Sequence, residues 1–138
     1  MGRLLPVVEP RSLAFQCGEW SLPIVPSAAD IWATQDTLSV LQEARALGAE
    51  IDAFLLFNQV RAGTLLAEQS RDAMESVTTE VTVTLLPITI GIRESFRQSF
   101  MAGKGVVEFE PGGKAAIEIM ELYTTIVKQL VEEKKIND

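Results

Sequence analysis

The ten residues IDAFLLFNQV, 51–60, restrict the possible folds more than any other stretch of the chain. Their centre is almost continuously apolar, where a strand with one wet face would alternate, so the run suits a strand covered on both faces. Segments of helical period flank it. Upstream, a helix from about Ala28 to Leu47 carries Ile31, Leu38, Leu41 and Ala44 on one face and stops at Gly48. Downstream, a helix from about Gly63 to Val77 turns Leu66, Ala73, Met74 and Val77 inward. A further strand is expected near residues 21–25, with Leu22, Ile24 and Val25 buried. Another is expected at TEVTVTLL, 79–86, nearer the sheet edge and ended or kinked by Pro87. A short helix near Ile92–Gly103 and the segment VVEFEPGG precede a last helix from about Lys114 to Lys135. Strands separated by helices of this length imply an α/β fold with a mostly parallel sheet, flanking helices and right-handed crossovers.

The chain's 138 residues suffice for one such domain. Residues 1–19 lack a clean period and read as an irregular arm, with a short helical turn around Arg11–Cys17; residues 20–138 hold the regular part. Prolines and charges break the N-terminus where a signal peptide keeps an apolar run, and no segment reaches the ~20 apolar residues of a membrane span. The lone Cys17 has no internal disulfide partner, which fits a reducing cytoplasm. Without histidine, a zinc site or a Cys–His nucleophile is not expected. The net charge of −7 argues against tight sequence-independent nucleic-acid binding by the chain as a whole, although it leaves room for a local basic face.

Several short stretches bear on chemistry. In SLPIVPSAADIWATQD, 21–36, a strand breaks at Pro26 and reopens as a helix, with Ser27 and Asp30 spaced as a capping box. Loops at the carboxyl ends of strands in open α/β sheets commonly border ligands; the same elbow also serves as a plain connection. Asn58 ends the buried strand, where its amide either recognises a ligand or makes a turn. Trp32 is expected to pack against a neighbouring element rather than stack on a ligand.

The segment IRESFRQSFMAGK places Ile92, Phe96 and Phe100 on one apolar stripe, with Arg93 and Arg97 on a second stripe and Lys104 near its end. Such a basic stripe either meets a nucleic-acid backbone or is an ordinary solvated face, tempered by Glu94. PGGKAA, 111–116, superficially suggests a phosphate loop, but Ala115 stands where a hydroxyl must hold magnesium and the preceding glycine spacing is wrong. It reads as a turn that starts the last helix, and AGKG, 102–105, as a helix end. The last helix is apolar over a wide arc that includes Ile119, Met120, Leu122, Tyr123, Ile126 and Val127, more than one sheet face needs, which predicts a second contact.

Taken in order, LPIVPSAADIWATQDTLSVLQEARAL, FLLFNQVRAGTLLAEQSRDAM, ITIGIRESFRQSFMAGKGVVEF and GGKAAIEIMEL resemble the C-terminal half of ParA-type partition ATPases, nearest the branch that includes ParF, within the wider group containing MinD. The resemblance covers roughly residues 20–131. It implies the C-terminal half of a deviant P-loop NTPase-like fold, with ATP and Mg as cofactors. The elbow Pro26, Ser27 and Asp30 would lie beside the nucleotide, Asn58 near its base, and the loop from Pro87 to Gly91 along the same pocket. Arg93, with Arg97 and Lys104, would fall in a region linked to non-specific DNA binding. The implied partners are a second copy or a full-length ParA-type ATPase, together with a centromere-binding adaptor; the implied location is cytoplasmic and nucleoid-associated, with no membrane.

The family's KGGxGKT and its catalytic aspartates do not occur in this sequence, and Arg61 is the nearest substitute for the family's arginine near Gly63. The resemblance therefore implies a truncated or divergent partition protein that does not hydrolyse ATP alone. The alternative is a non-enzymatic, dimerising module that regulates a full-length partition ATPase. In either case the strand at 21–25 is expected to keep an open edge, closed by the arm, a second copy or a partner.

Overall fold

The computed structural model describes residues 18–137, with side chains through residue 132. The order of elements is β1 (Gly18–Ile24), α1 (Ala28–Ala46), β2 (Ile51–Val60), α2 (Leu65–Glu80), β3 (Thr84–Gly91), α3 (Glu94–Met101), α4 (Val106–Phe109) and α5 (Lys114–Asn137). The three strands form one parallel sheet in the order β1-β2-β3. This is the expected α/β arrangement, and it is consistent with part of a P-loop NTPase-like fold.

The central strand explains the layering. Ala53, Leu55 and Phe57 of β2 pack with Leu38, Leu41 and Ala44 of α1 and Met74 of α2. Phe54 and Leu56, pointing the opposite way, pack with Leu86 and Ile90 of β3, Phe96 of α3, and Ile119, Leu122 and Ile126 of α5. Both faces of β2 are thus covered, as its unbroken apolar run requires. On β1, Trp20, Leu22 and Ile24 join the α1 side, while Glu19, Ser21 and Pro23 alternate outward and are exposed. Among the described residues β1 pairs with β2 alone.

Helix ends follow local chemistry. Ser27 caps α1 by accepting from the Asp30 N–H at 3.1 Å. At the other end Gly48 takes φ +100, so that its N–H reaches the Arg45 carbonyl and the Ala49 N–H reaches Ala44, a Schellman stop. Arg45 then ties this corner together. Its guanidinium donates twice to the Ile51 carbonyl, at 3.1 and 2.6 Å, and once to that of Thr82, at 2.7 Å. Lys104 and Gly103 (φ +67) close α3 in the same way, so AGKG ends a helix as expected. Gly112 (φ +79) and a Gly113-to-Glu110 hydrogen bond of 3.0 Å make PGGK the turn before α5.

The structure corrects five expectations. Helix α2 continues to Glu80, and β3 begins at Thr84 rather than 79. The hydroxyls of Thr78 and Thr79 satisfy themselves by donating to the carbonyls of Glu75 and Ser76, which keeps these β-branched residues helical. Pro87 lies inside β3 rather than ending it. Leu55 faces Leu85 and Phe57 faces Thr89, so β3 bulges where the proline sits, on the edge that pairs with no other strand among the described residues.

Leu66 is 52% exposed, because the inward face of α2 runs through Ala67, Ser70, Met74 and Val77. The stripe Ile92–Phe96–Phe100 turns only Phe96 to the core, and that partly buried: Ile92 precedes α3, and Phe100 is 86% exposed. Trp32 likewise stands out, 66% exposed, rather than packing against a neighbour.

Candidate functional site at the carboxyl edge of the sheet

All three strands end at the same edge, at Ile24, Val60 and Gly91. Ile24 stands opposite Phe57, whereas Val60 stands opposite Gly91. The centre of the sheet therefore projects beyond β1 by three residues, about 10 Å at the usual strand rise. The elbow leaves the sheet at this step. Its shape is held from the helix side, since the Asp30 carboxylate accepts the Val25 N–H at 2.8 Å while Ser27 caps the Asp30 N–H. The acid reaches past the capping residue to the chain before Pro26, so cap and elbow form one unit.

Pro26 lines a small cleft of about 180 Å³ with Phe57, Gly63, Thr64 and Arg71. The Arg71 guanidinium lies 5.4 Å from the centre of the Phe57 ring, a cation–π contact on the α1–α2 face. Asn58, one residue along β2, belongs to the other face. It lines a larger cleft of about 490 Å³, whose apolar floor includes Leu56, Ile90, Phe96 and Ile119, and whose rim carries Gln59, Arg93 and Arg97. Its side-chain oxygen accepts the Gln59 N–H at 2.9 Å, and Gln59 takes φ +53, a left-handed conformation uncommon outside glycine. The asparagine thus makes a turn and lines a cleft at once.

The basic residues separate. Arg93 precedes α3 and its guanidinium donates to Glu118 of α5 at 2.7 Å. That hydrogen bond and the charge of Glu118 raise the Arg93 pKa above its usual value. Arg97 is exposed, with a 3.7 Å contact to Glu94, a geometry of little energetic weight in water. Lys104 lies beyond the end of α3, exposed, and lines none of these clefts. Pro87 also stays outside them, four residues before the end of β3. The edge therefore carries the elbow on its α1–α2 face and Asn58 with Arg93 and Arg97 on the other, while Pro87 and Lys104 stand apart.

Sequence reasoning missed Glu118. Its two oxygens take Arg93 and the Gly91 N–H, the latter at 3.1 Å, across 25 and 27 positions of chain. The available signal was its place as the only acid in the otherwise apolar run AAIEIM, 115–120. Among the described residues no group of three His, Cys, Asp or Glu side chains is placed to hold a metal. No described helix is long and apolar enough to cross a membrane.

No family model matches the chain, and no solved structure matches it. The chain is similar to the Maintenance of carboxysome distribution protein A of Halothiobacillus neapolitanus (strain ATCC 23641 / c2), at 24% identity over 116 residues. That alignment takes in 83% of this chain and 52% of the relative, so the chain spans about half the length of the curated protein it matches. This distant similarity supports a ParA/MinD-type relationship in general terms.

Proposed function

We propose that this chain is a ParA/MinD-type partition or positioning protein, corresponding to the C-terminal half of such an ATPase and contributing one wall of a nucleotide site. The supporting observation is that the Pro26–Asp30 elbow and Asn58 flank one carboxyl edge from its two faces, within the region aligned to the carboxysome distribution protein. On this reading the stepped edge receives ATP. The elbow borders the α1–α2 side and Asn58 the α5 side. The residues that hold phosphate and magnesium in P-loop enzymes, a lysine and hydroxyl in a glycine-rich loop, have no counterpart in PGGKAA. Catalysis thus requires groups that this sequence does not carry.

Nucleotide binding and turnover, followed together, test the reading. The chain alone is expected to bind a fluorescent ATP analogue weakly and to hydrolyse none. Asn58→Ala should weaken that binding, and analogue affinity identical in wild type and Asn58→Ala would count against the assignment. Non-specific DNA contact through Arg93, Arg97 and Lys104 belongs to the same proposal. Arg97→Ala with Lys104→Ala should weaken binding to a DNA duplex and flatten its salt dependence.

A second reading, a non-enzymatic module acting on a full-length partition ATPase, draws on a different feature. Helix α5 leaves Ile117, Met120, Tyr123, Val127 and Val131 between 41% and 64% exposed, an apolar face suited to another protein. Adding the chain to a full-length relative and following ATP turnover distinguishes the two. A change in turnover supports the module, and none at saturating chain supports the first reading.

A further inference from the structure

Arg93 does not project from the solvent face of α3; it lies back against the end of the sheet. Its backbone is extended (φ −130, ψ 130), which directs the side chain over Gly91. A Cβ at Gly91 would come within 3.2 Å of the guanidinium carbon, so the bare backbone of that glycine makes room for it. Glu118 closes the berth, with one oxygen on the guanidinium at 2.7 Å and the other on the Gly91 N–H at 3.1 Å. The berth suits the carboxylate better than the arginine. The Arg93 Nε is buried and has no acceptor among the described residues, and a buried donor left unpaired is costly.

The surroundings give this arrangement a use. Two clefts, of about 490 and 190 Å³, flank Arg93, and both are lined by Gly91, Ile92 and Arg93. The side chain is thus a wall between them. Moved off Gly91, the guanidinium would release the donor now held by Glu118 toward a ligand in the larger cleft, whose rim it already shares with Arg97. An arginine is charged at any working pH, so the availability of this guanidinium depends on competition for its donors rather than on titration.

We infer that Glu118 is a latch on Arg93, masking its charge until a phosphate-bearing ligand displaces the carboxylate and draws the guanidinium off Gly91. The inference rests on the reading above that phosphate-bearing ligands meet this edge of the sheet. It adds a regulator of that site, contributed by the last helix.

The decisive variant is Glu118→Gln. Its amide oxygen still accepts the Gly91 N–H, but the negative charge is gone. Mg-ATP and a short DNA duplex are titrated separately against wild type, Glu118→Gln and Glu118→Gln with Arg93→Ala, and the Arg93 Nε–Hε signal is followed by NMR. Glu118→Gln is expected to bind at least one of the two about tenfold more tightly than wild type, the factor for losing one competing charge-assisted hydrogen bond. The gain should vanish in the double variant, and the Nε–Hε signal should shift on binding. A gain with ATP alone identifies a nucleotide phosphate as the ligand; a gain with duplex alone identifies the DNA backbone.

Equal affinity of wild type and Glu118→Gln for both ligands overturns the latch. So does a gain that survives Arg93→Ala, or a Glu118→Gln protein that binds neither ligand. The nucleotide and DNA readings fail separately, through Asn58→Ala and through Arg97→Ala with Lys104→Ala in the wild-type background.

Discussion

The two faces of the sheet are finished to different degrees. On the α1–α2 side, Leu38, Leu41, Ala44 and Met74 are at most 1% exposed and close over Leu55 and Phe57. On the α3–α5 side, Ala115 and Ala116 at the start of α5 are buried, and Ile119, Leu122, Ile126 and Leu130 are only partly covered. Beyond them Phe100, Met101, Met120 and Tyr123 are half exposed or more. The difference follows from topology. Two crossover helices share three strands on one side, whereas α5, helped by Phe96 of α3, spans β2 and β3 on the other and leaves Glu19, Ser21 and Pro23 of β1 bare. One face is a completed core; the other is a single layer whose outer side keeps its apolar residues.

Methionine allows the sharpest test, because one residue type occurs in both settings. Met74 is 0% exposed in the closed core, so Met74→Ala should cost about 2–5 kcal/mol in urea unfolding, from lost transfer energy and the cavity left behind. A cost below about 1 kcal/mol would show that the α1–α2 face is no better packed than the other. The next effect lies at the corner tied by Arg45. Arg45→Ala leaves the carbonyls of Ile51 and Thr82 without their shared donor and should cost about 1–3 kcal/mol. Smaller still, Ser27→Ala removes the cap of α1 and should cost about 1 kcal/mol. If Asp30 holds the elbow alone, the Ser27 variant will keep its nucleotide-analogue affinity while losing stability.

The backbone of α1 and the central strand were the most legible parts. Apolar spacing in 28–47 and the run at 51–60 specify a helix over a strand covered on both sides, and Ser27, Asp30 and Gly48 mark the helix ends. Elsewhere the local signals compete. TEVTVTLL alternates as a strand should, yet its first residues complete α2 because two threonine hydroxyls bond back to the helix. Pro87 suggests a strand end, but a bulge on the outer strand of the described sheet tolerates it. At the site, Asn58 and the elbow could be placed from strand ends alone. The pairing of Arg93 with Glu118 could not, because it joins positions 25 residues apart through the docking of α5, which no local pattern encodes.

The smallest expected effect is the most instructive about the open face. Met120 is 50% exposed on α5, so truncating it removes little buried surface and leaves no enclosed cavity. Alanine is also the better helix former by a few tenths of a kcal/mol. Met120→Ala should therefore change stability by no more than about 0.5 kcal/mol in either direction, measured in dilute solution beside Met74→Ala. The same pair measured across a range of protein concentrations carries the comparison further. If copies of the chain cover the α5 face in solution, wild-type stability rises with concentration by mass action, and Met120→Ala flattens that rise. Met74→Ala would lower stability by the same amount at every concentration. A concentration-independent wild type with a neutral Met120→Ala leaves the open face free for a different protein. A large loss in Met120→Ala at every concentration would mean that the face is packed within the chain itself, and that the contrast between the two sides of the sheet is false.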